Sequence, residues 1–323
     1  MHRIAVLTSG GDGPGLNPCI RAVTRTALKE GLEVVGVRWG YCGLVRDDML
    51  TLTSRDVGGI LNRGGTFLGT ARCPEFKDVK VRRQAIRHLN QRAVDGLIVI
   101  GGNGSLAGGL ALHKMDIPVI GIPASIDNDI DGTDIAVGVD TTLNTILDAI
   151  DRIKDTASSH QRAFLIEVMG RDSGYLALQS GLAGGAELIL VPEREGPTLE
   201  EIADEVLDAY MRGKGYCIIV IAEGWEPGTR SVADYLRSRK DDLGFDVRVT
   251  VLGHIQRGGR PSNFDRTLAT RMGAAAVKAL LAGESGQMVA LHGGKIELFP
   301  IEEAVKQLKP LDPRLLELAE IMD

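Results

Sequence analysis

Short apolar, β-branched runs recur along the chain at 4–8, 34–37, 96–100, 119–123, 164–168, 188–191, 218–221 and 247–252. Each has the length of a buried strand, and several are apolar throughout, as strands covered on both faces are. Helical patterns alternate with them. Over 141–155 the apolar residues Leu143, Ile146, Leu147, Ile150 and Ile153 share one helical face, while Asp148, Asp151, Arg152 and Lys154 take the other. A second helical segment runs over 18–29. Strands alternating with helices predict an α/β protein with largely parallel sheets wound by βαβ units. Candidate boundaries between domains fall at Gly138, before the long helix, and around 253–259.

Composition narrows the function classes. The 323 residues are 44% hydrophobic, enough for one large α/β domain or two smaller ones. A net charge of −6 argues against a general nucleic-acid binder. No apolar run reaches membrane-spanning length, and the first residues lack the pattern of a secretory signal. Cys19, Cys42, Cys73 and Cys217 are scattered, so neither a disulfide framework nor a zinc site is expected, and a cytoplasmic protein is.

In parallel α/β sheets, ligands bind at the carboxyl ends of strands. The polar, Gly-rich clusters fall there. Gly10-Gly11-Asp12-Gly13-Pro14-Gly15 follows the first strand and precedes a helix. Its glycines let backbone N–H groups approach a phosphate, although an ordinary strand-to-helix turn also uses such residues. Gly101-Gly102-Asn103-Gly104-Ser105 follows the run at 96–100 and fits a dinucleotide fingerprint in its Ala form, with Asp127 near the spacing of a ribose-binding acid. A ribose acid ends its strand directly, whereas Asp127 sits in a further polar loop. The P-loop motif is absent from the sequence. The third cluster, Ala124-Ser125-Ile126-Asp127-Asn128-Asp129, carries two carboxylates two residues apart, which suits a base plus a Mg²⁺ ligand, or else a solvated acidic loop. Arg72, Arg162, Arg171, Arg248 and Arg257 lie near glycines or strand ends, where guanidinium groups can bind phosphate bidentately. His254 fits either a ligand or a packed structural residue.

Taken in order, Gly-Gly-Asp-Gly-Pro-Gly-Leu-Asn from Gly10, Arg-Gly-Gly-Thr-Phe-Leu-Gly-Thr-Ala-Arg from Arg63, the turn at Gly101, Ile-Asp-Asn-Asp from Ile126, Ser-Ser-His-Gln-Arg from Ser158, Glu-Val-Met-Gly-Arg from Glu167 and Gly-His-Ile-Gln-Arg-Gly-Gly from Gly253 closely resemble the bacterial 6-phosphofructokinase family. The resemblance runs from Ile4 to about Gly283. It implies two doubly wound three-layer α/β/α domains with the active site in the cleft between them. The larger, nucleotide-binding domain would take 1–138 plus about 256–305, and the smaller, sugar-phosphate-binding one 139–255 plus about 306–323. It also implies a homotetramer and Mg²⁺-assisted transfer of the ATP γ-phosphoryl to O1 of fructose 6-phosphate. Asp127 would be the base, with Ser125 beside it, and Gly11, Arg72 and Arg171 would steady the phosphoryl. Tyr41, Cys73, Gly102, Asn103, Gly104 and Ser105 would line the nucleotide site, with Asp129 and, weakly, Asn103 at the metal. Met169, Gly170, Glu223, His254 and Arg257 would hold the sugar phosphate, with Arg162 and Arg248 reaching in from a neighbouring subunit.

Three positions depart from the family pattern. Asn103 replaces a typical Asp, Ala124 a Gly and Ser125 a Thr. Pyrophosphate-using members typically carry Asp at the position of Gly104 and Lys at that of Ala124, so ATP is favoured as donor. A pyrophosphate-dependent enzyme and a catalytically weak nucleotide-sensing member are the alternatives. Arg21, Arg25, Lys154, Glu187, Arg212 and Lys214 match in kind the pocket that binds ADP or phosphoenolpyruvate in regulated members. Ser54 stands where an Arg is common, though Arg55 is adjacent, which predicts a weakened or retuned effector response.

Overall fold

The computed structural model describes residues 1–321. Eleven strands are formed by these residues: β1 (Arg3–Ser9), β2 (Glu33–Val37), β3 (Met49–Leu52), β4 (Gly96–Gly101), β5 (Val119–Pro123), β6 (Arg162–Val168), β7 (Leu188–Leu190), β8 (Cys217–Ala222), β9 (Asp246–Val251), β10 (Gln287–His292) and β11 (Lys295–Pro300). They build two separate sheets. The chain accordingly divides into two compact units, one of Met1–Thr141 with Arg257–Lys309, the other of Thr142–Gln256 with 310–321. Among the described residues, no helix is long and apolar enough to cross a membrane.

The first unit carries a seven-stranded sheet in the order β11-β10-β5-β4-β1-β2-β3. Its five inner strands are parallel. β4 is buried along its whole length and β1 over all but Arg3, because helices cover both faces. One face packs Ile4, Val6, Ile98 and Ile100 against Ile20, Val23, Met272 and Ala276. The other packs Ala5, Leu7, Leu97 and Val99 against Leu44, Leu89 and Leu112. Burying each such Leu or Ile stabilises the fold by roughly 1.5–3 kcal/mol. The two edges differ from a purely parallel expectation. β3 and β11 pair antiparallel with β2 and β10. Neither stands out as an apolar run, because each is an edge strand with partly exposed side chains.

The second unit has a four-stranded sheet, β7-β8-β6-β9, parallel throughout. Its core gathers Leu165, Ile219, Ile221, Val206, Leu236 and Phe245. Both units are thus doubly wound α/β folds, as the alternation of strands and helices predicts.

One buried charge organises a helix start in the first unit. Asp265, fully buried, accepts Gly138 N–H and Thr141 N–H at 2.8 Å each, plus the Thr141 hydroxyl. These groups lie at the amino end of the helix Val139–His160, whose dipole favours a carboxylate. Burial pushes the Asp265 carboxyl above its ordinary value, and the Thr141 and Gly138 bonds pull it back. Asp265→Asn would set an amide NH₂ against a backbone donor. It is expected to lower stability by about 1–3 kcal/mol, read as a shifted urea midpoint.

Candidate active site

In the first unit the chain leaves β1 for β2 on one side and reaches β4 and β5 on the other. The crevice beyond the carboxyl ends of β1 and β4 is therefore the topological switch point. Three polar loops meet there: 10–17 after β1, 102–105 after β4 and 124–129 after β5.

The loop after β5 is the most tightly organised. Ser125 donates its hydroxyl to Asp129 Oδ1 at 2.8 Å and accepts the Asp127 N–H at 3.2 Å. Asn103, at the start of the helix Asn103–His113, donates Nδ2 to Asp129 Oδ2 at 3.1 Å and to its carbonyl at 3.0 Å. Both Asp129 oxygens are thereby held, one from within its own loop and one from the loop after β4. Asn128 sits between the two acids at φ 49°, a left-handed conformation that Asn tolerates better than most residues. It is buried, accepts Ala136 N–H at 3.0 Å and donates to the Asp134 carbonyl at 3.4 Å. That anchor alternates the loop, with Ile126, Asn128 and Ile130 inward and Asp127 and Asp129 partly exposed.

The loop after β1 is laced to residues 63–72. Thr70 donates to the Gly10 carbonyl at 2.7 Å. Buried Asn17 donates to the Arg63 and Gly64 carbonyls and accepts Phe67 N–H at 2.6 Å. Arg72 ends this segment, exposed. Arg257 lies across the glycine turn, with Nη1 3.1 Å from the Asp12 carbonyl. A Cβ on Gly11 would stand only 2.5 Å from that nitrogen. Sequence reasoning marks Gly11 and Arg257 separately. It does not find Asn17, Thr70 or Asn128, whose positioning roles appear only once the loops are folded.

Two expected nucleotide-site residues point elsewhere. Ser105 is buried, with its hydroxyl donated to the Ser9 carbonyl at 2.8 Å and its N–H to Gly102. Tyr41 is buried as well, stacked on Phe76 and bonded to the Ser105 carbonyl at 2.5 Å. Both brace the turn from beneath, because each polar group has found a backbone partner. Gly102 and Gly104 do border usable space. Nothing lies within 4 Å of a Cβ placed at Gly104.

In the second unit, Met169, Gly170 and Arg171 follow β6, Glu223 follows β8 and His254 follows β9. Arg171 takes φ 53°, unusual for a long side chain, and its N–H is held by Glu223 Oε1 at 2.9 Å. Arg248 falls within the run 247–252 that the sequence marks as a strand. It lies inside β9 and pairs in register with Phe164, near the amino end of β6. There it shares Asp246 with Arg162. Counting roughly 3.3 Å per residue along β6, Arg162 stands about 20 Å and Arg248 about 13 Å from Val168, the end of the strand that Arg171 follows.

The six expected effector residues fall into two groups. Arg21 and Arg25 lie on the helix Leu16–Lys29 of the first unit, and burial followed by the nearby Arg25 charge lowers the Arg21 pKa. In the second unit, buried Glu187 accepts Ile218 N–H and holds Lys214 at 3.3 Å. Lys154 bonds the Gly184 carbonyl and faces Tyr216, while Arg212 pairs with Glu205 at 2.7 Å.

A profile of the phosphofructokinase family matches residues 3–280. The chain belongs to the phosphofructokinase family. It is 52% identical over 323 residues, the whole of both chains, to an ATP-dependent 6-phosphofructokinase of Thermotoga neapolitana. It is 50% identical over 322 residues to one from Listeria welshimeri. Among solved structures, the phosphofructokinase of Saccharomyces cerevisiae superposes with a TM-score of 0.88 at 36% identity. All of this chain is covered there, but it spans only 47% of the yeast chain. A pyrophosphate-dependent phosphofructokinase from Marinobacter aquaeolei has a TM-score of 0.85 over 97% of this chain and 86% of its own, and at 24% identity it shows the shared fold alone.

For a member of this family, the charge pattern has chemical meaning. Arg72, Arg171 and Arg257 form no ion pair among the described residues, whereas Arg162, Arg212 and Arg248 are paired. Guanidinium groups without carboxylate partners are poised for anions. Backbone spacing holds them in place. A Cβ on Gly64 would approach the Gly259 carbonyl to 2.2 Å, backbone against backbone. Gly64→Ala is therefore expected to destabilise by about 1–3 kcal/mol, while Gly11→Ala, which meets only the mobile tip of Arg257, costs less than about 1 kcal/mol. Thermal melts of the two variants check this order.

Proposed function

We propose that this chain transfers the γ-phosphoryl of ATP to O1 of fructose 6-phosphate, giving fructose 1,6-bisphosphate and ADP. The observation that carries the reading is the Asp127 loop beside the Gly-rich turns, in a chain about half identical, end to end, to relatives named ATP-dependent 6-phosphofructokinases. Asp127 takes the C1-hydroxyl proton as the O1–phosphorus bond forms. The bond from the γ-phosphorus to its bridging oxygen breaks, and ADP leaves with the electron pair. The Gly11 N–H and the Arg72 and Arg171 side chains meet the charge on the transferring group. Ser125 orients both acids through its two hydrogen bonds.

Asp129 and Asn103 suit a hard cation. Asn103 Oδ1 is buried with no hydrogen-bond partner, an oxygen acceptor directly beside a carboxylate. Mg²⁺ bound there would neutralise phosphate oxygens. The open space over Gly104 suits an adenosine better than the Asp typical of pyrophosphate users. Gly102 and Cys73 border the same nucleotide, in the larger unit. Met169, Gly170, Glu223, His254 and Arg257 hold the sugar phosphate. Arg162 and Arg248 serve a neighbouring subunit of a homotetramer, a reading supported by their place toward the amino end of β6, opposite the end that Arg171 follows. Arg21, Arg25, Lys154, Glu187, Arg212 and Lys214 belong to an effector site for ADP or phosphoenolpyruvate. Free cysteines and the lack of a membrane-crossing helix among the described residues fit a cytoplasmic enzyme.

A coupled assay with fructose 6-phosphate, offering ATP and then pyrophosphate, tests the reading. Turnover is expected with ATP and not with pyrophosphate; comparable rates would overturn the donor assignment. Asp127→Ser should lower kcat by about 10²–10⁴-fold with nucleotide binding retained. Ser125→Ala, which loses two hydrogen bonds of about 1 kcal/mol each, should lower kcat by roughly five- to thirtyfold.

A further inference from the structure

The scattered cysteines do not stay scattered in the fold. Cys42 is buried in the helix Gly40–Arg46. Cys73 is half-buried at the start of the short turn Pro74–Lys77, and Glu75 lies exposed on that turn. The two sulfurs and a Glu75 carboxylate oxygen all fall within 4.8 Å of one another. Cys42 Sγ stands 3.8 Å from Glu75 Oε1 and 3.3 Å from the Arg72 carbonyl.

These dimensions are near those of a filled metal site. With metal–sulfur bonds of about 2.3 Å and metal–oxygen bonds of about 2.0–2.2 Å at tetrahedral angles, ligand atoms stand roughly 3.5–3.8 Å apart. Closing from 4.8 Å asks for about 1 Å of side-chain motion at most. Two sulfurs exclude hard cations such as Mg²⁺ and favour borderline or soft ones. We propose that Cys42, Cys73 and Glu75 form a three-ligand site for a thiophilic divalent cation of the Zn²⁺ class, with its fourth position open to solvent.

The surroundings support this assignment. Glu75 is exposed and Cys73 half-buried, which supplies an entry path. The Glu75 carboxyl is held below its ordinary range, first by its own backbone N–H and then by Cys73, so it is ionised at neutral pH. Burial pushes the Cys73 thiol up, so a cation there must displace its proton. Binding forms two sulfur–metal bonds, releases two protons to the buffer and tightens as pH rises. Because Arg72 directly precedes Cys73, a loaded site ties the segment carrying that arginine to the helix Gly40–Arg46.

Co²⁺ titration of the full-length protein, its thiols kept reduced by a phosphine, tests the proposal. A thiolate-to-cobalt charge-transfer band is expected, saturating at one Co²⁺ per chain and discharged by Zn²⁺. Cys42→Ala should abolish the band and Cys217→Ala should leave it. Glu75→Gln, an exposed change that leaves the core intact, should weaken Co²⁺ binding about tenfold or more. No band in the folded wild-type protein overturns the site. So does a band that survives Cys42→Ala, one lost equally with Cys217→Ala, or an affinity unchanged by Glu75→Gln.

Discussion

The candidate site depends on one backbone constraint, the pairing of loop to loop at the carboxyl ends of β1, β4 and β5. Ser105 donates to the Ser9 carbonyl, Ala124 N–H to the Gly101 carbonyl and Thr70 to the Gly10 carbonyl. Each bond ties a residue of one loop or strand end to its neighbour. Buried carbonyl groups left by the ending strands need partners. Small side chains from adjacent loops provide them, and so the loops hold one another in register. Functional groups mounted there need little reorganisation when a ligand arrives, which is where electrostatic stabilisation gains most.

Charge is sorted on the same principle. The chain is acidic overall, yet Arg72, Arg171 and Arg257 stand without carboxylate partners among the described residues. Their positions are set through the backbone. Arg171 is fixed by the Glu223 bond to its N–H, and Arg72 by a segment that Asn17 and Thr70 lace to the first loop. The guanidinium groups of Arg72 and Arg171 are thus positioned without a carboxylate partner among the described residues. Arg162 and Arg248 instead share Asp246, so an incoming phosphate must compete with a carboxylate there.

Much of this was legible in the sequence, and the losses have physical causes. Parallel strands buried on both faces leave continuous apolar runs, which locate β1, β2 and β4 to β9 within a residue or two. Edge strands β3 and β11 bury less and carry no such run, and β10 buries only Met288 to Leu291 between polar Gln287 and His292. Gly-rich turns and paired acids announce themselves because few residue types can do their work. The direction a side chain faces does not. Tyr41 and Ser105 carry polar groups suited to a ligand, and only the fold shows those groups bonded to backbone. Asn17 and Asn128 are hidden for the converse reason: an asparagine in a polar loop looks ordinary until its hydrogen bonds, three at Asn17 and two at Asn128, are seen. The meeting of Cys42 with Cys73 is purely tertiary, since no short spacing connects them.

Asn103 shows how one neutral atom pair changes the electrostatics of the whole loop. A carboxylate at this position, typical of the family, would face Asp129 as a second negative charge, and the two would need a cation between them to approach closely. The amide removes that requirement. Its Nδ2 bonds Asp129 directly, Ser125 takes the other carboxylate oxygen, and the loop closes on itself. The remaining acceptor, Asn103 Oδ1, still faces inward without a protein partner. The acid loop is thus tied together by these hydrogen bonds, and the groups at Asp129 are one carboxylate and one neutral oxygen where a second acid would give two carboxylates. Order in the loop that carries Asp127 is gained at the expense of negative field beside Asp129.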